Sequence, residues 1–308
     1  DEIEALFEVY RTTEDEAERA AIYHKIDSIS YAASGYAIPN EYDKLMSVIG
    51  ANGTNAYTST DMTVYVEDIP SNQIENWARI EADRFMHPVI RGFHTELETV
   101  YEEKNMSLTK DFRKALEAMD GMLFPDHPYG TQTVLGTQEH LKNPSITNIK
   151  NYQKTYYVPN NMAICLSGDF DPDEMVAVIE KYFGQMQPNK DLPEITLATS
   201  SVIESPVEKD VYGLDAENIM IGWKYPGAKS EDALVAEVAA SVLYNGSAGL
   251  IDLNINQQQK VLGAYGMSYG RPDAGEFILM GNPKQGQTLE EVRDILLAEV
   301  AKLRNGEF

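Results

Sequence analysis

Thr54-Asn55-Ala56-Tyr57-Thr58-Ser59-Thr60-Asp61-Met62-Thr63-Val64-Tyr65-Val66 is the stretch in which the chain stops reading as helix. Met62, Val64 and Val66 alternate with Thr63, Tyr65 and Glu67, the two-residue period of a half-buried strand. Immediately upstream the period is helical. Asn40 reads as the cap of a helix with Tyr42, Leu45, Met46 and Ile49 on one face, closed by Gly50. Further back, Ile3, Leu6, Phe7 and Tyr10 fall at i, i+3, i+4 and i+7. Thr13 followed by Glu16 reads as a capping box that opens an Ala-rich helix running to about Tyr31. The two together predict an acidic helical hairpin.

Downstream, Ser71 is expected to cap a helix carrying Ile74, Trp77, Ala78 and Phe85, stopped by Pro88. Thr95 with Glu98 predicts a longer helix whose apolar face is Leu97, Val100, Tyr101, Leu108 and Phe112. A short strand is predicted over 161–167, and Asp171-Pro172 opens a helix to Phe183, with proline at the first helical position. Residues 188–206 are polar, rich in Pro, Ser and Thr, and aperiodic, which reads as a linker. Strands are expected near 207–212, 218–223, 263–269 and 276–280, with a helix capped by Ser230 between them. The last helix follows the Thr288-to-Glu291 capping box, with Leu289, Val292, Leu296, Val300 and Leu303 inward. Strands and helices alternate without the regularity of a Rossmann sheet. The pattern predicts an α+β fold, a sheet with helices packed on one face. The expected division is a helical-hairpin insert (1–39), a first lobe (40–187), the linker (188–206) and a second lobe (207–308).

Composition narrows the function classes. The 308 residues include 49 acidic and 25 basic side chains, a formal charge of −24. A nucleic-acid binder needs a basic footprint, and an anionic membrane would repel this chain. The simplest use of the charge is solubility. At 43% hydrophobic residues the chain has the makings of a core, which excludes general disorder. No apolar run approaches the roughly 18 residues of a membrane span. Cys165 is the only cysteine, so no intrachain disulfide and no cysteine metal cluster can form. There is no G-x-G-x-x-G, phosphate loop or EF-hand loop.

The candidate chemistry lies in Glu96-Leu97-Glu98-Thr99-Val100-Tyr101-Glu102-Glu103-Lys104. Glu96 and Glu103 are seven apart, so they share a helix face about 10.5 Å apart along the axis. One such carboxylate can ligate a metal while the other orients ligands. Glutamates in the first turns of a helix are also favoured by its dipole alone. The histidines His24, His87, His94, His127 and His140 show no metal-pair spacing, and neither H-E-x-x-H nor H-x-x-E-H occurs. His24 is expected to be an exposed or capping residue of the hairpin. His127, ahead of Pro128-Tyr129-Gly130, is expected to serve a turn rather than catalysis. Composition and spacing by themselves assign no function.

Asn52-Gly53-Thr54-Asn55-Ala56-Tyr57-Thr58-Ser59 resembles the edge strand of the pitrilysin/insulinase-type zinc metallopeptidases. Val100-Tyr101-Glu102-Glu103 resembles the helix that supplies their third zinc ligand. His127-Pro128-Tyr129-Gly130, Leu135-Gly136-Thr137, Tyr156-Tyr157-Val158-Pro159-Asn160-Asn161, Gly168-Asp169 and Lys181-Tyr182-Phe183-Gly184 follow in that family's order and approximate spacing. Gly246-Ser247-Ala248-Gly249-Leu250 and Gly263-Ala264-Tyr265-Gly266 look like the second lobe of its repeat.

The resemblance implies duplicated two-layer α+β lobes, each an antiparallel sheet with helices on one face, of the mitochondrial-processing-peptidase-like metallohydrolase fold, paired as a clamshell. It implies a zinc held by two histidines of H-x-x-E-H and a downstream glutamate, with the motif's own glutamate as general base. Glu103 matches the third ligand, and Glu96 the supporting acid one face-turn earlier. Asn55, Ala56, Tyr57 and Thr58 match the strand that receives a peptide by β-augmentation. The histidines and the base should precede the Asn40 helix, and they are absent from this chain. The start at Asp1 inside a helical pattern, and the stop directly after a helix cap, lead to the expectation that both ends were cut. On that reading the chain is a fragment of a zinc endopeptidase, inactive alone and without bound zinc. Its partners would be peptide or small-protein substrate and the missing half of the clamshell or a homologous subunit. The arginine and tyrosine that touch substrate in the family's distal half are not assigned to Arg271 or Tyr269, which lie in the wrong lobe. The alternative is a non-catalytic peptide-binding or partner subunit of a peptidase heterodimer. The resemblance and the lack of disulfides suggest a bacterial periplasm or envelope.

Overall fold

The computed structural model describes residues 1–38, 40–194, 196 and 198–308. Two compact units emerge, one of Asp1–Lys104 with Leu135–Ile195, the other of Asn105–Val134 with Thr196–Phe308. The second unit thus takes in a stretch from the middle of the first half, which linear reading of the sequence had kept with its neighbours.

In the first unit, α1 (Glu2–Thr12) and α2 (Glu16–Ser34) form the expected hairpin. The cap differs from the expected one. Asp15 accepts from the Glu18 N–H, while the Thr13 hydroxyl bonds back to the Val9 carbonyl (2.8 Å). Aspartate directly before the helix outcompetes a threonine that is still held by the end of α1. The hairpin shares a core with the rest of the unit: Phe7 and Ile26 pack with Ile146, Phe93 and Leu97, and Phe7 meets Phe93 edge-on at 5.4 Å. This core rests on α5 (Phe93–Leu108) and α9 (Ile146–Tyr156), the latter preceded by the short α8 (Gln138–Lys142).

A second core joins α3 (Glu41–Val48), α4 (Ile74–Met86) and α10 (Pro172–Phe183) through Met46, Ile74, Trp77, Ala78, Ala82 and Phe183. Burying a methionine, isoleucine or phenylalanine side chain there contributes about 1.5–3 kcal/mol relative to exposure. Leu45, expected on the inner face of α3, is instead about half exposed, because the turn of α3 that meets the core is centred on Met46. Between these helices lies the antiparallel pair β1 (Asn52–Thr58) and β2 (Thr63–Asp68). The predicted strand over 161–167 does not form. The segment sends Met162 and Leu166 into the core beside α4 and α10, but among the described residues no strand pairs with it. The run Met162-Ala163-Ile164-Cys165-Leu166 is apolar enough for a strand, but a strand also needs a ladder partner.

The second unit is built on a three-stranded antiparallel sheet, order β3-β5-β4, from β3 (Ile219–Pro226), β4 (Gly263–Gly270) and β5 (Ala274–Asn282). Leu243 of α11 (Glu231–Leu243) and Val292 and Leu296 of α12 (Leu289–Asn305) cover one face, over Ala264 and Leu279. Gly281 is required there: a Cβ would come within 2.5 Å of the Val292 side chain. The Thr288–Glu291 capping box forms both of its bonds, as expected. On the opposite face α6 (Asp111–Leu123) lays Met119 and Leu123 beside Met220, followed by the single turn α7 (Pro128–Thr131). The strand expected over 207–212 is absent; those residues are largely exposed and have no ladder partner. A π-helical turn, Asp252–Asn256, links α11 to β4 and was not expected from the sequence. The linker stretch 188–206 includes residues 195 and 197, outside the described residues, and its described part carries no helix or strand. Residue 39, where the hairpin insert was expected to end, is likewise outside them. Among the described residues no helix is long and apolar enough to cross a membrane.

Candidate peptide-docking edge and metal-ligand helix

β1 and β2 turn through Ser59, whose N–H donates to the Met62 carbonyl (2.8 Å) and whose hydroxyl accepts from the Asp61 and Met62 N–H groups. Register sets Asn55 opposite Val66, Ala56 opposite Tyr65, Tyr57 opposite Val64 and Thr58 opposite Thr63. The register shifts between Asn52 and Asn55, where Gly53 takes φ 69°, a conformation that suits glycine. Among the described residues β2 is the only strand beside β1. The other edge of β1 is therefore open, and Asn55, Ala56, Tyr57 and Thr58 are all exposed along it. The Ala56 N–H donates to the side-chain oxygen of Asn55 (2.8 Å).

Below this edge is a pocket of ≈ 200 Å³ lined by Tyr42, Asp43, Thr54, Asn55, Ala56, Tyr65, Glu67 and Arg84. The Tyr42 hydroxyl lies 2.6 Å from Glu81 Oε1 and 3.0 Å from Glu67 Oε1. The Arg84 guanidinium sits 2.8 Å from Glu81 Oε2 and stacks on the rings of Tyr42 (4.2 Å) and Tyr65 (4.6 Å). Burial, opposed by the Tyr42 hydrogen bond and Arg84, raises the Glu81 carboxyl above its ordinary value. Burial and the neighbouring carboxylate hold the Tyr42 hydroxyl protonated far above the usual phenol range. Sequence reading missed this group. Its signal was a glutamate on the apolar stripe Ile74-Trp77-Ala78-Ala82-Phe85, where a charged residue is buried only with partners.

Glu96 and Glu103 both lie on α5, as expected, and both are exposed. The buried side chains of that helix are His94 and Lys104. His94 is 3% exposed, with Nε2 3.6 Å from Asp27 Oδ1 and 3.7 Å from Glu98 Oε1. Neither ring nitrogen makes a hydrogen bond. His24 is exposed, as expected. His87 is exposed and bonds Asp83 (3.0 Å), and His140 caps α8. His127 is 1% exposed and caps α7: its Nδ1 accepts from the Tyr129 N–H (3.0 Å), while Nε2 lies 3.2 Å from Asp273 Oδ2. The turn role expected of it is the one it has, with an added tie to Asp273, just ahead of β5. Arg271, left unassigned from sequence, is buried against Asp120 and Glu276.

A catalytic zinc needs three protein ligands. Among the described residues no group of three His, Cys, Asp or Glu side chains comes together to hold a metal. Glu103 is one carboxylate, so the residues present do not make up a zinc site.

The sequence profile of the Peptidase M16 inactive domain matches residues 145–308. The chain is 21% identical to the zinc protease PqqE of Helicobacter pylori, aligning over all of this chain and 70% of that one. It is 28% identical to a probable mitochondrial-processing peptidase subunit beta of Schizosaccharomyces pombe, over 44% of this chain and 30% of that protein. It is 25% identical to the insulin-degrading enzyme of Mus musculus, over 51% of this chain and 16% of that protein. The fold matches a crystal structure of a protease from Helicobacter pylori with TM-score 0.73 at 21% identity, over 87% of this chain and 66% of that one. It matches pitrilysin with TM-score 0.64 at 19% identity, over 86% of this chain and 30% of that one. The matches cover from 16% to 70% of those relatives' own lengths. The profile covers residues 145–308, more than half of the chain and the whole of the β3-β5-β4 sheet with α11 and α12: the chain belongs to the Peptidase M16 inactive domain family, whose relatives include named zinc proteases.

Proposed function

We propose that these 308 residues form part of a zinc metalloendopeptidase and present an edge strand on which peptide or small-protein substrate docks. The observation that carries the reading is the open edge of β1, with Asn55, Ala56, Tyr57 and Thr58 exposed along it in a chain of the M16 family. An extended peptide laid against that edge gains main-chain hydrogen bonds, while alternate side chains meet the flanking surface. The Ala56 N–H, now engaged by the Asn55 side chain, becomes a ladder donor when that side chain swings aside. In this reading Glu103 supplies one carboxylate to the metal and Glu96 supports the ligand set. The remaining ligands and the general base come from outside these residues, and no catalytic step is derived for the chain itself.

The experiment is zinc stoichiometry in the whole protein by elemental analysis, wild type against Glu103→Gln. The expected result is one zinc per active chain in the wild type and a loss of at least tenfold in occupancy at limiting zinc in the variant. Equal occupancy in both removes Glu103 from the metal site. No zinc in the wild type favours a second reading, a non-catalytic peptide-binding or partner subunit. Two observations support that second reading: the matched profile describes an inactive domain, and the described residues hold no metal group of three.

A further inference from the structure

In the second unit two carboxylates converge on one guanidinium. Arg271 Nη2 lies 3.3 Å from Asp120 Oδ1, on α6, and 3.4 Å from Glu276 Oε2, on β5. Arg271 is 5% exposed and Glu276 4%. The rings of Tyr129 (4.2 Å), Phe124 (4.9 Å) and Tyr269 (5.6 Å) wall the guanidinium in. Arg271 Nε and Glu276 Oε2 are buried without a hydrogen-bond partner. With both carboxylates ionised, the cluster carries one negative charge more than it can neutralise, away from water.

Among the described residues, no neighbouring group is seen to supply the missing positive charge. Lys224 stands opposite Glu276 in the β3–β5 register, but its ammonium is bonded to the Ser200 hydroxyl (2.8 Å) and the Ser201 carbonyl. From β4 the residue opposite Glu276 is Tyr269. Along α6, Glu117 adds a further negative charge near Asp120. The His127 ring is engaged with Asp273.

We propose that Asp120 and Glu276 share a single proton and that this proton fastens α6 onto β5, so that the second unit carries a pH-operated clasp. The clasp is closed while one of the two is a carboxylic acid donating to the other. It opens when both ionise, and their repulsion then works against the packing of Met119 and Leu123 beside Met220. Burial first, and then the Asp120 charge, push Glu276 up to about 7, and burial raises Asp120 as well. The sign follows: the folded chain keeps a proton that the unfolded chain gives up in the ordinary carboxylate range. Stability of this unit therefore falls as pH rises from there to about 7.

The test is hydrogen exchange of the α6 amides at about pH 6 and pH 8, corrected for intrinsic rates, in the wild type, Glu276→Gln and Asp120→Asn. One unit above the titration point, holding the proton is disfavoured by about a factor of ten, so wild-type protection is expected to drop about tenfold. Either variant removes one charge of the pair and is expected to reduce that drop to less than twofold. Equal wild-type protection at both pH values overturns the proposal, as does a full tenfold drop retained in a variant. If Glu276→Gln does not fold, Asp120→Asn decides alone.

Discussion

His127→Ala tests whether the most buried histidine is structural. The wild-type ring does three things. Its Nδ1 accepts from the Tyr129 N–H, which places the ring proton on Nε2, 3.2 Å from Asp273 Oδ2. The ring also packs against Tyr129 at 4.3 Å and Phe124 at 6.0 Å. Losing the cap costs about 0.5–2 kcal/mol, losing a hydrogen bond to a charged group about 1.5–3, and the cavity about 2 more. These losses overlap, because the Ala198 N–H still donates to Asp273 (3.1 Å) after the ring is gone. The net expectation is about 3–5 kcal/mol. For a unit of this size that lowers the calorimetric transition by about 10 °C. His127→Asn separates the contributions. Its shorter side chain can accept from the Tyr129 N–H but does not span to Asp273, so it should recover about 1 kcal/mol and no more. A transition within about 3 °C of wild type for His127→Ala refutes the reasoning. So does an asparagine variant as stable as the wild type, which would make the Asp273 tie irrelevant.

Two further predictions are more quickly checked. Asp111 accepts from Lys114 and from the Leu214 and Asp215 N–H groups, which hold its carboxyl below the ordinary range. The stabilisation is present above the unfolded value and lost as pH falls through the folded one. The difference in urea midpoint between wild type and Asp111→Asn should therefore shrink on going from about pH 6 to pH 2, and a constant difference counts against it. Ala56→Pro removes the edge donor of β1. In fluorescence anisotropy, peptide affinity should weaken about two- to tenfold, the loss of one hydrogen bond, and unchanged affinity argues against docking on this strand.

How much of this was legible in advance differs by element. The strand β2 and the helices α10, α11 and α12 follow from local signals: alternation, proline at the first helical position, and serine or threonine caps. The strands expected at 161–167 and 207–212 did not form, although the first holds the apolar run Met162-Ala163-Ile164-Cys165-Leu166. Their fate depended on whether another backbone lay alongside, which no local pattern states. The Thr13 box failed for a related reason, since Asp15 was better placed and the threonine was already engaged by α1. The placing of Asn55 to Thr58 on an exposed strand and of Glu96 and Glu103 on one helix was legible, because a backbone edge and a helix face are properties of contiguous sequence.

The sequence by itself determined the hairpin of α1 and α2, the strand β2, the helices α10, α11 and α12, the placing of Glu96 and Glu103 on one helix, and the resemblance to zinc peptidases that the M16 profile bears out. The tertiary structure alone decided which charges are buried together. Tyr42, Glu81 and Arg84 come from two helices, and Asp120 stands 151 residues from the Arg271 it faces beside Glu276. The reason is physical. Periodicity and capping depend on neighbours within a few residues, whereas desolvation, ion pairing and a shared proton depend on which surfaces are packed together once the chain has folded.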